Sequence, residues 1–196
     1  MTHDMKRIGV LAIQGDFAEH IAAMNEVEGA EAFPVKKAAE IADLDGLIIP
    51  GGESTTIGKL CERFGVDQAI IAAHGRGLAI WGTCAGLIYL ATDIADSDQQ
   101  RLGLLNCRVR RNAFGRQVDS FETDLQVTGL EGGETRAVFI RAPYVETAGA
   151  GVEVLSVVRD KIVAVRQGKL LGTAFHPELT DDRRVQRYFL RIVTGG

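Results

Sequence analysis

A thiolate is among the strongest side-chain nucleophiles near neutral pH, and one of the three cysteines in this chain stands where a reagent would be placed. Cys84 lies in the run Trp81-Gly82-Thr83-Cys84-Ala85-Gly86-Leu87-Ile88. A buried-strand pattern, Gly77-Leu78-Ala79-Ile80-Trp81, runs straight into Gly-x-Cys-x-Gly, and an apolar helix pattern follows. This is the nucleophile-elbow arrangement with Cys in place of Ser. The flanking glycines permit a sharp strand-to-helix turn, and the next helix aims its N–H groups and positive end at the sulfur. A cysteine taken alone is more often a packed core residue; the elbow reverses that weighting for Cys84. Cys61 and Cys107 have no such setting and are assigned to packing.

A nucleophilic cysteine needs a base. Among the four histidines, His3 lies in a terminal stretch and His74 in a polar turn, where solvation is expected. His20 falls in the first helix, as a surface or interface residue. His176 differs: it follows the apolar strand Leu170-Leu171-Gly172-Thr173-Ala174-Phe175 and so emerges at a strand's carboxyl end, the rim where open α/β sheets form ligand sites. Pro177 limits the backbone there, and Glu178 can orient the imidazole. The expected triad is Cys84, His176 and Glu178. For Glu178 alone, a helix-start carboxylate is an equal reading. Acyl transfer also needs an oxyanion hole. The N–H of Ala85 is one expected donor, and the loop Pro50-Gly51-Gly52-Glu53-Ser54, which also follows a buried strand, is the other candidate. Gly51-Gly52 alone reads better as a plain turn.

The elements that must hold these groups are legible. Ile8-Gly9-Val10-Leu11-Ala12-Ile13 has the continuous apolar character of a central parallel strand. Gln14-Gly15 ends it, and Asp16 is placed to cap a helix through about Glu28. Ala32-Phe33-Pro34-Val35 reads as a short strand whose proline suggests a sheet edge or a strand end. Gly46-Leu47-Ile48-Ile49-Pro50 is a third strand, followed by helices from Ser54 or Thr55 to about Phe64 and from Asp67 to His74. The alternation predicts a parallel sheet with helices on both faces. After about Asp96, short β-like runs at 107–110, 121–127, 137–140, 152–158, 162–167 and 169–175 predict hairpins and antiparallel additions. Gln167-Gly168-Lys169 is a tight turn between two of them. A last helix from about Asp181 to Val193 places Val185, Tyr188, Phe189, Ile192 and Val193 on one face.

The 196 residues fit one domain, 1–196, with a sizeable core. A net charge of −4 gives no reason to expect nucleic acid or an anionic membrane as partner. Three spaced cysteines form neither a disulfide framework nor a zinc site, so a reducing, cytoplasmic setting is expected, with no metal. The first residues do not read as a signal peptide, and no apolar run has membrane-spanning length.

Pro50-Gly51-Gly52-Glu53-Ser54-Thr55-Thr56, Gly82-Thr83-Cys84-Ala85-Gly86-Leu87 and Phe175-His176-Pro177-Glu178-Leu179 together resemble the class I (triad) glutamine amidotransferases. Further stretches narrow this. Gly9-Val10-Leu11-Ala12-Ile13-Gln14-Gly15 with Glu19-His20, Gly103-Leu104-Leu105-Asn106, Arg111-Asn112-Ala113-Phe114-Gly115-Arg116-Gln117-Val118-Asp119-Ser120-Phe121 and Phe139-Ile140-Arg141-Ala142-Pro143 are similar to the glutaminase subunits of pyridoxal 5′-phosphate synthases. The resemblance implies a flavodoxin-like three-layer α/β fold. It implies attack by Cys84 on the side-chain amide of L-glutamine, with glutamine held by Gly52, Glu53, Ser54, Arg111, Ile140 and Arg141. Residue type alone leaves Arg110, Arg111 and Arg116 equivalent. The resemblance also implies a (β/α)₈-barrel synthase as partner, which receives the ammonia and activates the glutaminase, with Gln14 in the coupling. No cofactor of its own is implied; pyridoxal phosphate is the product of the complex. Competing readings are a glutaminase subunit of another amidotransferase, a cysteine hydrolase of similar fold, and a non-catalytic module.

Overall fold

The computed structural model describes residues 5–112 and 120–196. The centre of the Arg111–Phe121 motif, 113–119, and the terminal residues 1–4, His3 included, lie outside the described residues.

The first half alternates strand and helix. The strand β1 (Lys6–Leu11) leads to α1 (Phe17–Asn25), β2 (Ala30–Val35), β3 (Gly46–Ile49), α2 (Ser54–Arg63), α3 (Val66–Gly75), β4 (Ala79–Thr83) and α4 (Ala85–Leu90). The second half is β-rich: β5 (Ala91–Ile94), β6 (Leu105–Arg110), β7 (Ser120–Leu125), β8 (Thr135–Ile140), β9 (Tyr144–Ala148), β10 (Glu153–Val158), β11 (Lys161–Gln167) and β12 (Leu170–Thr173), closed by α5 (Arg184–Thr194).

One sheet runs in the order β2-β1-β3-β4-β12-β11-β9-β6-β5, with β10 paired to β11. The pairs from β2 through β12 are parallel, in the flavodoxin-like 2-1-3-4 order. β11, β10, β9 and β6 add on antiparallel. Pro34 sits on β2, the edge strand, where a missing N–H breaks no ladder. β7 and β8 form a separate two-stranded ribbon.

Strand alternation sorts the helices onto two faces. Trp81 of β4 meets His20 of α1 edge-on at 5.7 Å and Phe189 of α5 at 5.5 Å. The neighbouring Gly82 faces α4: a Cβ there would lie 2.5 Å from the Gly86 backbone. α2 packs on α4, and α3 on α2. The five apolar positions expected to face the core from α5 are buried.

Several boundaries differ from the sequence reading. The helix after the elbow is a short α4, because the chain leaves it directly for β5. β5 and β9 were not expected; both are short and half-exposed, so neither carries a clean alternation. Asp16 stands at the start of α1, but its side chain makes no capping bond. Its N–H instead donates to the Gly51 carbonyl at 3.1 Å.

Candidate active site

Cys84 sits at the turn between β4 and α4 with φ 50° and ψ −105°. That backbone is costly for a residue with a Cβ and is characteristic of strained functional positions. Both elbow glycines are required by contact. A Cβ on Gly86 would lie 2.0 Å from the Ile49 carbonyl oxygen, so only glycine lets α4 start against β3. The turn is tied to β12, since the Cys84 N–H donates to the Thr173 carbonyl at 2.8 Å. The other two cysteines behave as packing residues: burial pushes the Cys61 thiol up to about 11 and the Cys107 thiol up to about 12.

β12 runs beside β4 and delivers His176 to the same rim. The His176 N–H donates to the Val138 carbonyl of β8 at 2.9 Å, which fixes the backbone there. Its Nδ1 meets Glu178 Oε1 at 2.7 Å, and Nε2 has no hydrogen-bond partner among the described residues. Burial works against the imidazolium, but the Cys84 thiol and the Glu178 carboxylate beside it raise His176 to about 10. Burial likewise opposes ionisation of Glu178; the adjoining His20 and His176 outweigh it and hold the carboxyl below the usual range.

The structure brings these groups to a cavity of about 410 Å³ lined by Cys84, Ala85, His176, Gly52, Glu53, Ser54, Arg111, Ile140, Arg141 and Gln14. Of the remaining expected residues, Glu178 lies behind His176, and Gly51 lies beside it: a Cβ on Gly51 would come 2.7 Å from His176 Cε1. The volume is near the small end for ligand pockets and suits one amino acid rather than a polypeptide. A larger open groove of about 680 Å³ runs along β7 and β10, but no cysteine or histidine lines it.

The residues expected to hold glutamine come from separate elements. Glu53 caps α2, accepting from the N–H groups of Thr55 and Thr56, and lies 3.9 Å from Arg111. Ser54 Oγ accepts from Gln99 Nε2 at 2.9 Å, and Gln99 Oε1 accepts from Arg111 at 3.0 Å. Gln99, which the sequence reading missed, therefore ties Arg111 to the start of α2. The choice among arginines also resolves for two of them. Arg110 is spent on Asp96 and Glu146, which hold its guanidinium more firmly protonated, whereas Arg111 lines the cavity. Arg116 lies outside the described residues. Ile140 ends β8 and Arg141 follows it; the Ile140 carbonyl lies 3.9 Å from Cys84 Sγ, and Arg141 takes a left-handed φ of 41°. Gln14 Oε1 accepts the Glu53 N–H at 2.9 Å, joining the end of β1 to the glycine loop.

Two histidines depart from expectation. His74 is half-buried, with Nδ1 2.9 Å from the Leu78 carbonyl at the end of α3. His20 is no surface residue: it is 1 % exposed, with Nε2 3.0 Å from Thr83 Oγ1 and 3.4 Å from Glu178 Oε2. Its position between α1 and the Thr83–Glu178 region depends on long-range packing that the sequence pattern does not carry. Among the described residues no cluster of His, Cys, Asp or Glu is arranged to hold a metal ion. No helix among them is long and apolar enough to cross a membrane.

Comparison with known proteins agrees with this geometry. A model of the SNO glutamine amidotransferase family matches residues 10–195. The pyridoxal 5′-phosphate synthase subunit PdxT of Parafrankia sp. is 58% identical over 189 residues, covering 95% of this chain and 93% of that protein. The protein of the same name from Acidothermus cellulolyticus is 54% identical over 196 residues, covering 96% and 94%. A crystal structure described as a glutamine amidotransferase superposes with a TM-score of 0.91 at 52% identity, covering 95% of this chain and 98% of the other.

Proposed function

The chain belongs to the SNO glutamine amidotransferase family, and from that premise we propose that it is the glutaminase subunit of a pyridoxal 5′-phosphate synthase, working through Cys84, His176 and Glu178. The observation that carries the reading is the convergence of the Cys84 elbow and the His176–Glu178 pair on one amino-acid-sized cavity.

In this reading, the L-glutamine side-chain amide enters beside Cys84, and its carboxylate meets Arg111 and Arg141. The Cys84 thiolate attacks the amide carbon. A C–S bond forms, and the negative charge moves to oxygen, held by the Ala85 N–H and a backbone N–H of the Gly51-Gly52 loop. His176, kept protonated by Glu178, gives its Nε2 proton to the departing nitrogen as the C–N bond breaks. Ammonia leaves and a γ-glutamyl thioester remains. Water then loses a proton to His176 and adds to the thioester; the C–S bond breaks and glutamate departs.

Ammonia released into water would be protonated and lost as a nucleophile, so the chain is read as one domain, 1–196, that docks on a (β/α)₈-barrel synthase in the cytoplasm. Gln14 links β1 to the glycine loop, the route by which docking would reach the oxyanion donors. The test is ammonia release from glutamine with and without the candidate synthase. Stimulation by the synthase, abolished in Cys84→Ala, is expected. Equal turnover with and without saturating synthase overturns the coupling, and activity in Cys84→Ala overturns the nucleophile.

A further inference from the structure

Glu178 presents two oxygens, and only one is accounted for. Oε1 holds His176; Oε2 is buried with no hydrogen-bond partner among the described residues. His20 Nε2, on α1, lies 3.4 Å from it. The same nitrogen lies 3.0 Å from Thr83 Oγ1, one residue before the nucleophile.

The proton on His20 can be placed. If Nδ1 carried it, that N–H would be buried with no acceptor, and the Nε2 lone pair would face a carboxylate oxygen. With the proton on Nε2, one N–H is shared between Thr83 Oγ1 and Glu178 Oε2, and only the Nδ1 lone pair is left without a partner among the described residues. Burial lowers His20 and outweighs the raising effect of Glu178, so the ring is neutral and acts as a donor rather than a cation. An apolar side chain could fill the same space beside Trp81 without leaving a buried nitrogen unpaired, so packing alone does not call for histidine here.

We infer that His20 is a positioning residue of the triad, whose Nε2–H supports the outer oxygen of Glu178 and so fixes the carboxylate that orients His176. The inference rests on the reading of Cys84, His176 and Glu178 as the hydrolytic triad. It also gives α1 a second connection to the site: the helix begins at Asp16, whose N–H holds the Gly51 carbonyl, and packs against the turn containing Glu178. One helix thus touches both the glycine loop and the base of the triad.

The charged and titratable groups acting on His20 are Glu178 and His176 from the turn after β12, Asp16 at the start of α1 and Glu19 on α1 itself. Removing the Nε2 donor leaves those in place and withdraws one support from the Glu178 anion. Glu178 then accepts a proton more readily, so the acid limb of activity moves to higher pH.

The experiment compares His20→Leu, His20→Asn and His20→Gln. Glutamine can place an amide N–H near the Nε2 position; asparagine reaches only the Nδ1 position, and so removes the donor in a polar side chain should Leu disturb folding. Leu and Asn are expected to lower kcat about 10- to 100-fold with KM nearly unchanged, the scale of lost outer-shell support. They are also expected to shift upward the acid limb of both kcat and Cys84 alkylation in the isolated chain. Gln is expected to restore most of kcat and the original limb. Wild-type kcat and limb in Leu or Asn, or equal loss in all three folded variants with an unmoved limb, overturns the inference. Cys84→Ala run alongside keeps the premise separate: activity surviving there overturns the triad itself, whatever the His20 variants do.

Discussion

Gly51→Ala isolates the contact between the glycine loop and the base. Gly51 has no left-handed φ, so alanine meets no backbone penalty at that position. Its Cβ would lie 2.7 Å from His176 Cε1 and 3.3 Å from Asp16 Oδ2, where ordinary contact begins at 3.4 Å. The imidazole or the loop must therefore yield by about 0.7 Å. The loop is pinned by the Asp16 N–H on the Gly51 carbonyl and by Gln14 on the Glu53 N–H. The imidazole is held at Nδ1 by Glu178 but unpaired at Nε2, so rotation of the ring is the easier response. That turns Nε2 away from Cys84. Misplacement approaching 1 Å costs about 100-fold in rate, whereas overpacking one methyl costs about 1–3 kcal/mol of stability. The assay is ammonia release in the presence of saturating synthase, with thermal unfolding in parallel. A folded Gly51→Ala protein should show kcat reduced about 100-fold and a Tm lower by about 2–10 °C. A folded variant retaining kcat within about threefold would refute the close loop–imidazole packing on which this reasoning depends.

Other perturbations give separable outcomes. Cys84→Gly should be more stable than Cys84→Ala by about 1 kcal/mol or more, because only glycine is relaxed at φ 50°; both should be inactive, and equal Tm values would deny the strain. Arg111→Ala should raise KM for glutamine about 10- to 100-fold, as expected for a lost charge-assisted bond, while Arg110→Ala, whose guanidinium faces Asp96 and Glu146, should leave KM within about threefold. Asp182 is held down to about 2 by Arg184, with further bonds from the Arg184 N–H and Thr135. A depressed carboxyl stabilises the fold above its unfolded value and loses that contribution as pH falls toward 2. Asp182→Asn should therefore be about 1 kcal/mol less stable than the parent at pH 7, with partial exposure already discounted. The gap should close between about pH 4 and 2 in chemical denaturation.

Legibility in the sequence followed locality. The elbow could be read because its signal is contiguous: a strand, two glycines around Cys84 and an apolar turn. His176 and the Gly51-Gly52 loop could be read because each directly follows an apolar strand, and parallel strands share one carboxyl rim. His20 could not. Its depth is set by the rotation of α1 against β4, and its partners Thr83 and Glu178 are remote in sequence. Arg110 and Arg111 are adjacent and chemically equal; only the pairing of β6 with β9, which brings up Glu146, separates them. β5 and β9 were missed because half-exposed short strands give no period to detect.

The separate β7–β8 ribbon divides the site between two mechanical bodies. Cys84, His176 and the glycine loop extend from the central sheet, whereas Ile140 and Arg141 hang from the ribbon. A two-stranded ribbon is only marginally stable without outside support. Its outside support includes the His176 N–H on Val138 and the tilted packing of Phe139 against Phe175. The two halves of the cavity therefore stand at different places in the opening hierarchy. Amide exchange should be quicker along the ribbon than along β4 and β12, and a bound amino acid spanning both should slow the ribbon most.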